Sequence, residues 1–238
     1  MNPDFAELDY QQTPLGELIL RRRRVPTLGG VEIFEVKLGD AYLMTSLFHA
    51  VEDALADLGL GALDPGEWDV VVGGLGLGYT AVAALAHPTM RSLLVVDALA
   101  AVIGWHQRGL VPLGETVTSD SRCSLAHGDF FELSRSPEGF AAGRRFHAVL
   151  VDIDHSPRNL LSPANAAFYR PPGLRALAAH LHPGGVFAMW SDDPPDKRFL
   201  RSLRAVFATA EAQIVAFPNP LLGRDSASTV YVARKAAA

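Results

Sequence analysis

Three aspartates follow apolar, β-type runs: Asp97 in "SLLVVDAL", Asp129 in "LAHGDFFEL" and Asp152 in "AVLVDIDHSP". Ahead of them, "DVVVGGLGLGYTAVAAL" leads from an apolar run through four glycines into small helical residues. A carboxylate at a strand end can accept hydrogen bonds from a ribose or an adenine amino group. A glycine loop opening a helix offers free backbone N–H groups to a closely approaching ligand. Gly76, Gly78 and Ala81 satisfy the G-x-G-x-x-A spacing, and Asp97 follows about 20 residues on, where an acid grips a ribose hydroxyl. No Gly-Lys-Ser/Thr ends the loop, which excludes a P-loop. The loop and Asp97 fit NAD as well as S-adenosylmethionine. Asp129 and Asp152, on successive strands, are more than an NAD site needs. Each acid also has a plainer role available, as the cap of the next helix. A carboxylate such as Asp152 or an imidazole such as His155 can take a proton from an attacking nucleophile.

Strands are expected at 70–72, 92–96, 123–127, 148–153 and 186–190, with helices between most of them. This alternation predicts βαβ units and a parallel sheet covered on both faces. "EAQIVAFP" and "STVYVARK" have no helix between them and are expected to pair antiparallel at one edge. Before the glycine loop, 13–46 reads as a small β-unit, and Leu47, Val51, Ala54, Leu55 and Leu58 have helical spacing. The expected division is 1–60 for the β-unit and bridging helix, and 61–238 for the nucleoside-binding domain. "RRRR" at 21–24 is expected on a solvated edge strand, where its charge discourages sheet-to-sheet pairing. A net charge of −5 argues against nucleic acid as a partner. No apolar run is long enough to cross a membrane, and "MNPDFAELDYQQ" lacks a secretory pattern. Cys123 is the single cysteine, and the histidines show no zinc-site spacing, so a soluble cytoplasmic protein without a metal is expected.

Together, "LGDAYLMTSLFHAVEDALA", "VVVGGLGLGYTA", "LLVVDALAAVIGWH", "HGDFFEL", "AVLVDIDHSPRNLL", "NAAFY" and "LHPGGVFAMWSDDPP" resemble the spermidine synthase-like family. That family is a branch of the class I S-adenosylmethionine-dependent methyltransferase superfamily. The resemblance implies an α/β, Rossmann-like fold with a mostly parallel seven-stranded sheet, an antiparallel edge strand and a small N-terminal β-unit. It implies that Gly74, Gly76 and Gly78 hold the methionine-derived part of the nucleoside, Asp97 the ribose and Asp129 the adenine. Asp152 would deprotonate the attacking amine. It also makes a homodimer plausible.

Two positions depart from the family. Its loop resembles "GGGDGG", and the acid that grips the aminopropyl amine falls at Gly76 here. A second acid three residues after the catalytic one is replaced by His155. Glu52, Asp154, Asp192 and Asp193 are the acids available to compensate, and Tyr169 matches a residue that shapes the pocket. Trp105 and His106 lie where they could flank adenine. The reading is aminopropyl transfer from decarboxylated S-adenosylmethionine to a small amine, releasing methylthioadenosine. The alternatives are methyl transfer from S-adenosylmethionine, releasing S-adenosylhomocysteine, or nucleoside binding without catalysis. The acceptor pocket is expected to draw on side chains of the N-terminal unit.

Overall fold

The computed structural model describes residues 4–237. The chain opens with β1 (Phe5–Thr13), β2 (Gly16–Val25), β3 (Val31–Leu38) and β4 (Ala41–Thr45), an antiparallel meander in that order. β1 extends the unit to the N-terminal side of its expected start at Thr13. The four arginines, expected on an edge, lie instead on the inner strand β2, between β1 and β3. Two of them have a buried partner there: Glu35 on β3, only 3% exposed, accepts from Arg21 Nε at 2.7 Å and Arg23 Nε at 3.0 Å. Burial alone would raise the Glu35 carboxyl; the two guanidiniums outweigh it and hold it below its ordinary value.

Helix α1 (Ala50–Gly61) then carries the chain to the second sheet. Glu52 and Asp53 lie in its first turn, where carboxylates complement the helix dipole, and Val51, Leu55, Ala56 and Leu60 form its buried stripe. There follow β5 (Trp68–Gly73), α2 (Tyr79–Leu85), β6 (Met90–Asp97), α3 (Ala100–Gln107), α4 (Gly114–Ser119), β7 (Cys123–His127), α5 (Phe130–Arg135) and β8 (Phe146–Val151). The last elements are α6 (Pro171–Ala179), β9 (Leu181–Ser191), α7 (Lys197–Arg204), β10 (Thr209–Asn219) and β11 (Arg224–Arg234).

The seven strands run in the order β10-β11-β9-β8-β5-β6-β7. β9, β8, β5, β6 and β7 are mutually parallel, and β11 pairs antiparallel with both β9 and β10. The antiparallel strand therefore lies one place in from the edge. The expected α/β class, the largely parallel sheet and the terminal antiparallel pair are all present.

Side-chain alternation divides the core in two. Val70, Val72, Leu150 and Val232 pack with α1, α2 and the N-terminal sheet residues Leu18, Leu20 and Val36. Val71, Val149, Val151 and Tyr231 pack on the opposite face, with Phe168, Leu174 and Phe199. Strand β8 ends at Val151 rather than Ile153. Asp152 N–H still donates to Gly73 O at 2.8 Å, but two residues later the Asp154 carboxylate is drawn into bonds of its own and the chain leaves the sheet. Among the described residues no helix is long and apolar enough to cross a membrane, and no group of three His, Cys, Asp or Glu could hold a metal ion.

Candidate active site

Parallel strands deliver their following loops to one rim, where open α/β sheets bind ligands. A cavity of about 1080 Å³ opens there, beneath the N-terminal sheet. Gly74, Asp97, Asp129 and Asp152 all line it, each from the end of a different strand. Its remaining walls come from β4, the start of α1, and the β10–β11 hairpin, represented by Met44, Glu52 and Phe217.

Asp97 ends β6 and fastens the glycine loop. Its Oδ2 accepts from Leu75 N–H at 2.9 Å and its Oδ1 from Leu99 N–H at 2.8 Å. Burial pushes this carboxyl up, and the backbone donors, Gly76 among them, oppose that push. Asp129 is the cap of α5, with Oδ1 accepting from Phe131 N–H at 2.8 Å and Glu132 N–H at 3.1 Å. Both bonds fall on Oδ1, so the capping role leaves Oδ2 with acceptor capacity at the cavity wall.

The loop itself needs glycine. Gly74 has φ +93°, and a Cβ there would come within 2.1 Å of Asp152 O. Gly76 has φ +49°, and its Cβ would meet Met44 Sδ at 2.4 Å. Met44 reaches down from β4 and also accepts from Leu77 N–H at 3.0 Å. The face of the loop at Gly76 is thus closed by a thioether. Gly78, in the left-handed region, starts α2 against the ring of His106 and does not line the cavity.

Asp152 follows β8 and accepts from Thr80 Oγ1 at 2.9 Å. Thr80 is buried in the first turn of α2, and sequence reasoning passed over it because its partner lies 72 residues away. Burial pushes the Asp152 carboxyl up to about 6, against the pull of the Thr80 bond. Glu52, also in the cavity wall, is pushed up to about 8 by burial first and by the Asp152 charge second. Two acids therefore compete for ionisation on one side of the cavity.

His155 and Asp192 also reach the cavity, joined by a bond from Asp192 N–H to His155 O at 2.7 Å. The His155 ring meets Trp190 edge-on, with centroids 6.4 Å apart. Asp193 lies outside, in a separate surface hollow near Arg158 and Lys197. Asp154 and Tyr169, expected against substrate, do not line the cavity. Asp154 is 2% exposed and accepts from Leu161 N–H at 2.7 Å, Asn165 Nδ2 at 3.0 Å and Tyr169 OH at 2.7 Å. This knot holds the segment after β8 in shape and sets Asn165 in the cavity wall.

Trp105 and His106 do not flank the cavity either. Trp105 is wholly buried and donates from Nε1 to Asp9 Oδ2 at 2.6 Å, tying α3 to β1. His106 Nε2 lies 3.0 Å from Gly76 O, an acceptor, so Nε2 carries the proton. Burial lowers the pKa of this imidazole and keeps it neutral behind the loop.

A seven-stranded sheet in this order, with a glycine loop after the inner strand β5 and acids at the ends of neighbouring strands, is the Rossmann-like methyltransferase fold. The backbone matches a spermidine synthase in complex with the transition state analogue AdoDATO over 98% of this chain and 74% of that one, with a TM-score of 0.74 and 16% identity. A spermidine synthase from Thermotoga maritima matches over the same shares, with a TM-score of 0.73 and 16% identity. In sequence the chain is similar to polyamine aminopropyltransferase 2 of Pseudomonas aeruginosa, 26% identical over 225 residues. That alignment covers 87% of this chain and 62% of the relative, so the chain spans less than two thirds of the relative's length. No family model matches the chain. Sequence and fold point the same way, to the spermidine synthase-like proteins that the motifs resemble.

Proposed function

We propose that this protein is a spermidine synthase-like transferase that moves an aminopropyl group from decarboxylated S-adenosylmethionine to a small amine. The observation that carries the reading is the convergence of Gly74, Asp97, Asp129 and Asp152 on one cavity at the carboxyl rim. Its volume, about 1080 Å³, lies at the upper end of the usual span of about 300–1,000 Å³ for small-molecule pockets and has room for a nucleoside. The name of the sequence relative and the fold of the structural neighbours support the same class.

The residues fit such a nucleoside. Asp97, anchored between the loop and α3, serves as the ribose acceptor, and the Oδ2 of Asp129 serves the adenine amino group. Asp152 acts as general base, because an ammonium has no lone pair and must lose a proton before its nitrogen can attack. Its raised carboxyl is a better base than an ordinary aspartate. Thr80 holds it in the ionised form and fixes its orientation. The nucleoside supplies a sulfonium-activated carbon: a C–N bond forms, the C–S bond breaks, and the bonding pair returns to sulfur in methylthioadenosine. The proton on Asp152 passes to water. His155, Trp190 and Asp192 offer the acceptor amine an aromatic and acidic wall.

A second reading has a specific observation in its favour. Met44 closes the loop at Gly76, so no acid stands there to demand a decarboxylated tail, and methyl transfer from S-adenosylmethionine would use the same cavity. Chromatography of reactions with a small diamine and either nucleoside separates the two. The aminopropyl reading predicts methylthioadenosine from decarboxylated S-adenosylmethionine. S-adenosylhomocysteine would support the second reading instead. Binding with neither product would leave a nucleoside-binding protein without catalysis.

A further inference from the structure

At Gly76 the loop shows the cavity only backbone and the Met44 thioether, so any charge that recognises the ligand's tail must come from another element. Glu52 is on α1, which packs against α2 and β8; it lines the cavity together with Asp152 and Gly74, and its carboxyl lies within reach of the Asp152 charge. Asp152 is fixed by Thr80 in the first turn of α2, directly after the glycine loop. Two carboxylates thus face the part of the cavity adjoining the loop, one held by a hydroxyl and the other supplied by α1.

We propose that Glu52 is the specificity residue for the cationic amine of the transferred chain, taking the ammonium between its own carboxylate and that of Asp152. This rests on the transferase reading above. The charges acting on Glu52 are those of Asp152 and, more weakly, Asp53 on its own helix, both acids. On α2 the neighbouring titratable group is Tyr79, whose phenol is itself raised by burial and by Glu52 and Asp53. His155 and Asp192 are on the same cavity wall. In the ligand-free protein near neutral pH, Glu52 keeps its proton because burial and the Asp152 charge disfavour a second anion. An ammonium placed between the two acids replaces that proton. Ligand binding at pH 7 therefore releases close to one proton, and the release fades as pH rises past the point where Glu52 is already ionised.

The test is isothermal titration calorimetry in two buffers of different ionisation enthalpy. The ligands are decarboxylated S-adenosylmethionine and a truncated 5′-dimethylsulfonioadenosine, which keeps the sulfonium and lacks the amine. Glu52→Gln is expected to weaken the amine-bearing ligand tenfold or more and the truncated one no more than about threefold. It should also abolish the proton release specific to the amine-bearing ligand. Glu52→Asp, which keeps the charge, should restore part of both, and circular dichroism should match the wild type for each variant. Equal weakening of the two ligands, or undiminished proton release in Glu52→Gln, overturns the assignment while leaving the transferase reading in place. Failure of the wild-type protein to bind either nucleoside overturns both.

Discussion

Asp152→Asn is expected to lower turnover about a thousandfold, while methylthioadenosine affinity stays within about threefold of wild type. General-base catalysis typically contributes about 10²–10⁴ in rate, and a thousandfold is about 4 kcal/mol of barrier. The amide preserves the shape and can still meet Thr80 Oγ1, but it cannot take a proton. A companion effect appears in the pH profile. The wild-type base must be ionised, so kcat/KM should rise with pH through about 6 and fall away below it. That acid limb should vanish from the residual activity of the variant. Stability moves the other way. The folded carboxyl titrates above its ordinary value of 3.8, so the native state binds more protons than the unfolded chain between those values. Ionising it costs stability as pH climbs through that window. At pH 7 the neutral amide should therefore melt a few degrees higher than wild type, at about 2–4 °C for each kcal/mol. Loss of activity with a gain in melting temperature cannot be assigned to misfolding. Turnover near the wild-type value in Asp152→Asn would remove Asp152 from the chemistry.

Gly74→Ala should cost about 2–5 kcal/mol of folding stability and with it nucleoside binding. Two effects add. A φ of +93° is strained for any residue with a Cβ, by about 1–2 kcal/mol. The new methyl would also meet Asp152 O at 2.1 Å, and that oxygen is backbone at the end of a central strand. Overpacking of this kind typically costs about 1–3 kcal/mol more. Gly109 provides the control, with φ +66° and nothing within 4 Å of an added Cβ. Gly109→Ala should show the conformational cost alone. Urea denaturation of the two variants separates the terms, and equal destabilisation would show that the approach of the two strand ends is not what requires glycine at Gly74.

Much of the rim was legible in the sequence. A run such as "LLVVD" fixes both a buried strand and the acid at its end, so Asp97 and Asp152 could be placed at one edge before any coordinates. Local signals of that kind stop where a side chain's partner is distant. Arg21 and Arg23 read as an exposed row because Glu35, the carboxylate they neutralise, sits on the neighbouring strand β3. Asp154 and Tyr169 had the right chemistry for a substrate contact. Their bond to each other, 15 residues apart, turns them inward instead. Thr80 carried no signal beyond its place after the glycine loop. The closing of Gly76 by Met44 depends on how the N-terminal sheet docks, which no periodicity reports. For Asp129 the plainer reading is observed: it caps α5 through one oxygen, and its other oxygen makes no bond in the cap.

The central claim is that the rim cavity holds an adenosyl nucleoside with its sulfur turned toward the glycine loop. A crystal structure of the protein with methylthioadenosine tests this most directly. The expected result is a ribose hydrogen-bonded to Asp97, adenine beside Asp129, and sulfur on the side of Gly74 and Asp152. A nucleoside bound outside the cavity, or inside it with the ribose away from Asp97, would contradict the account.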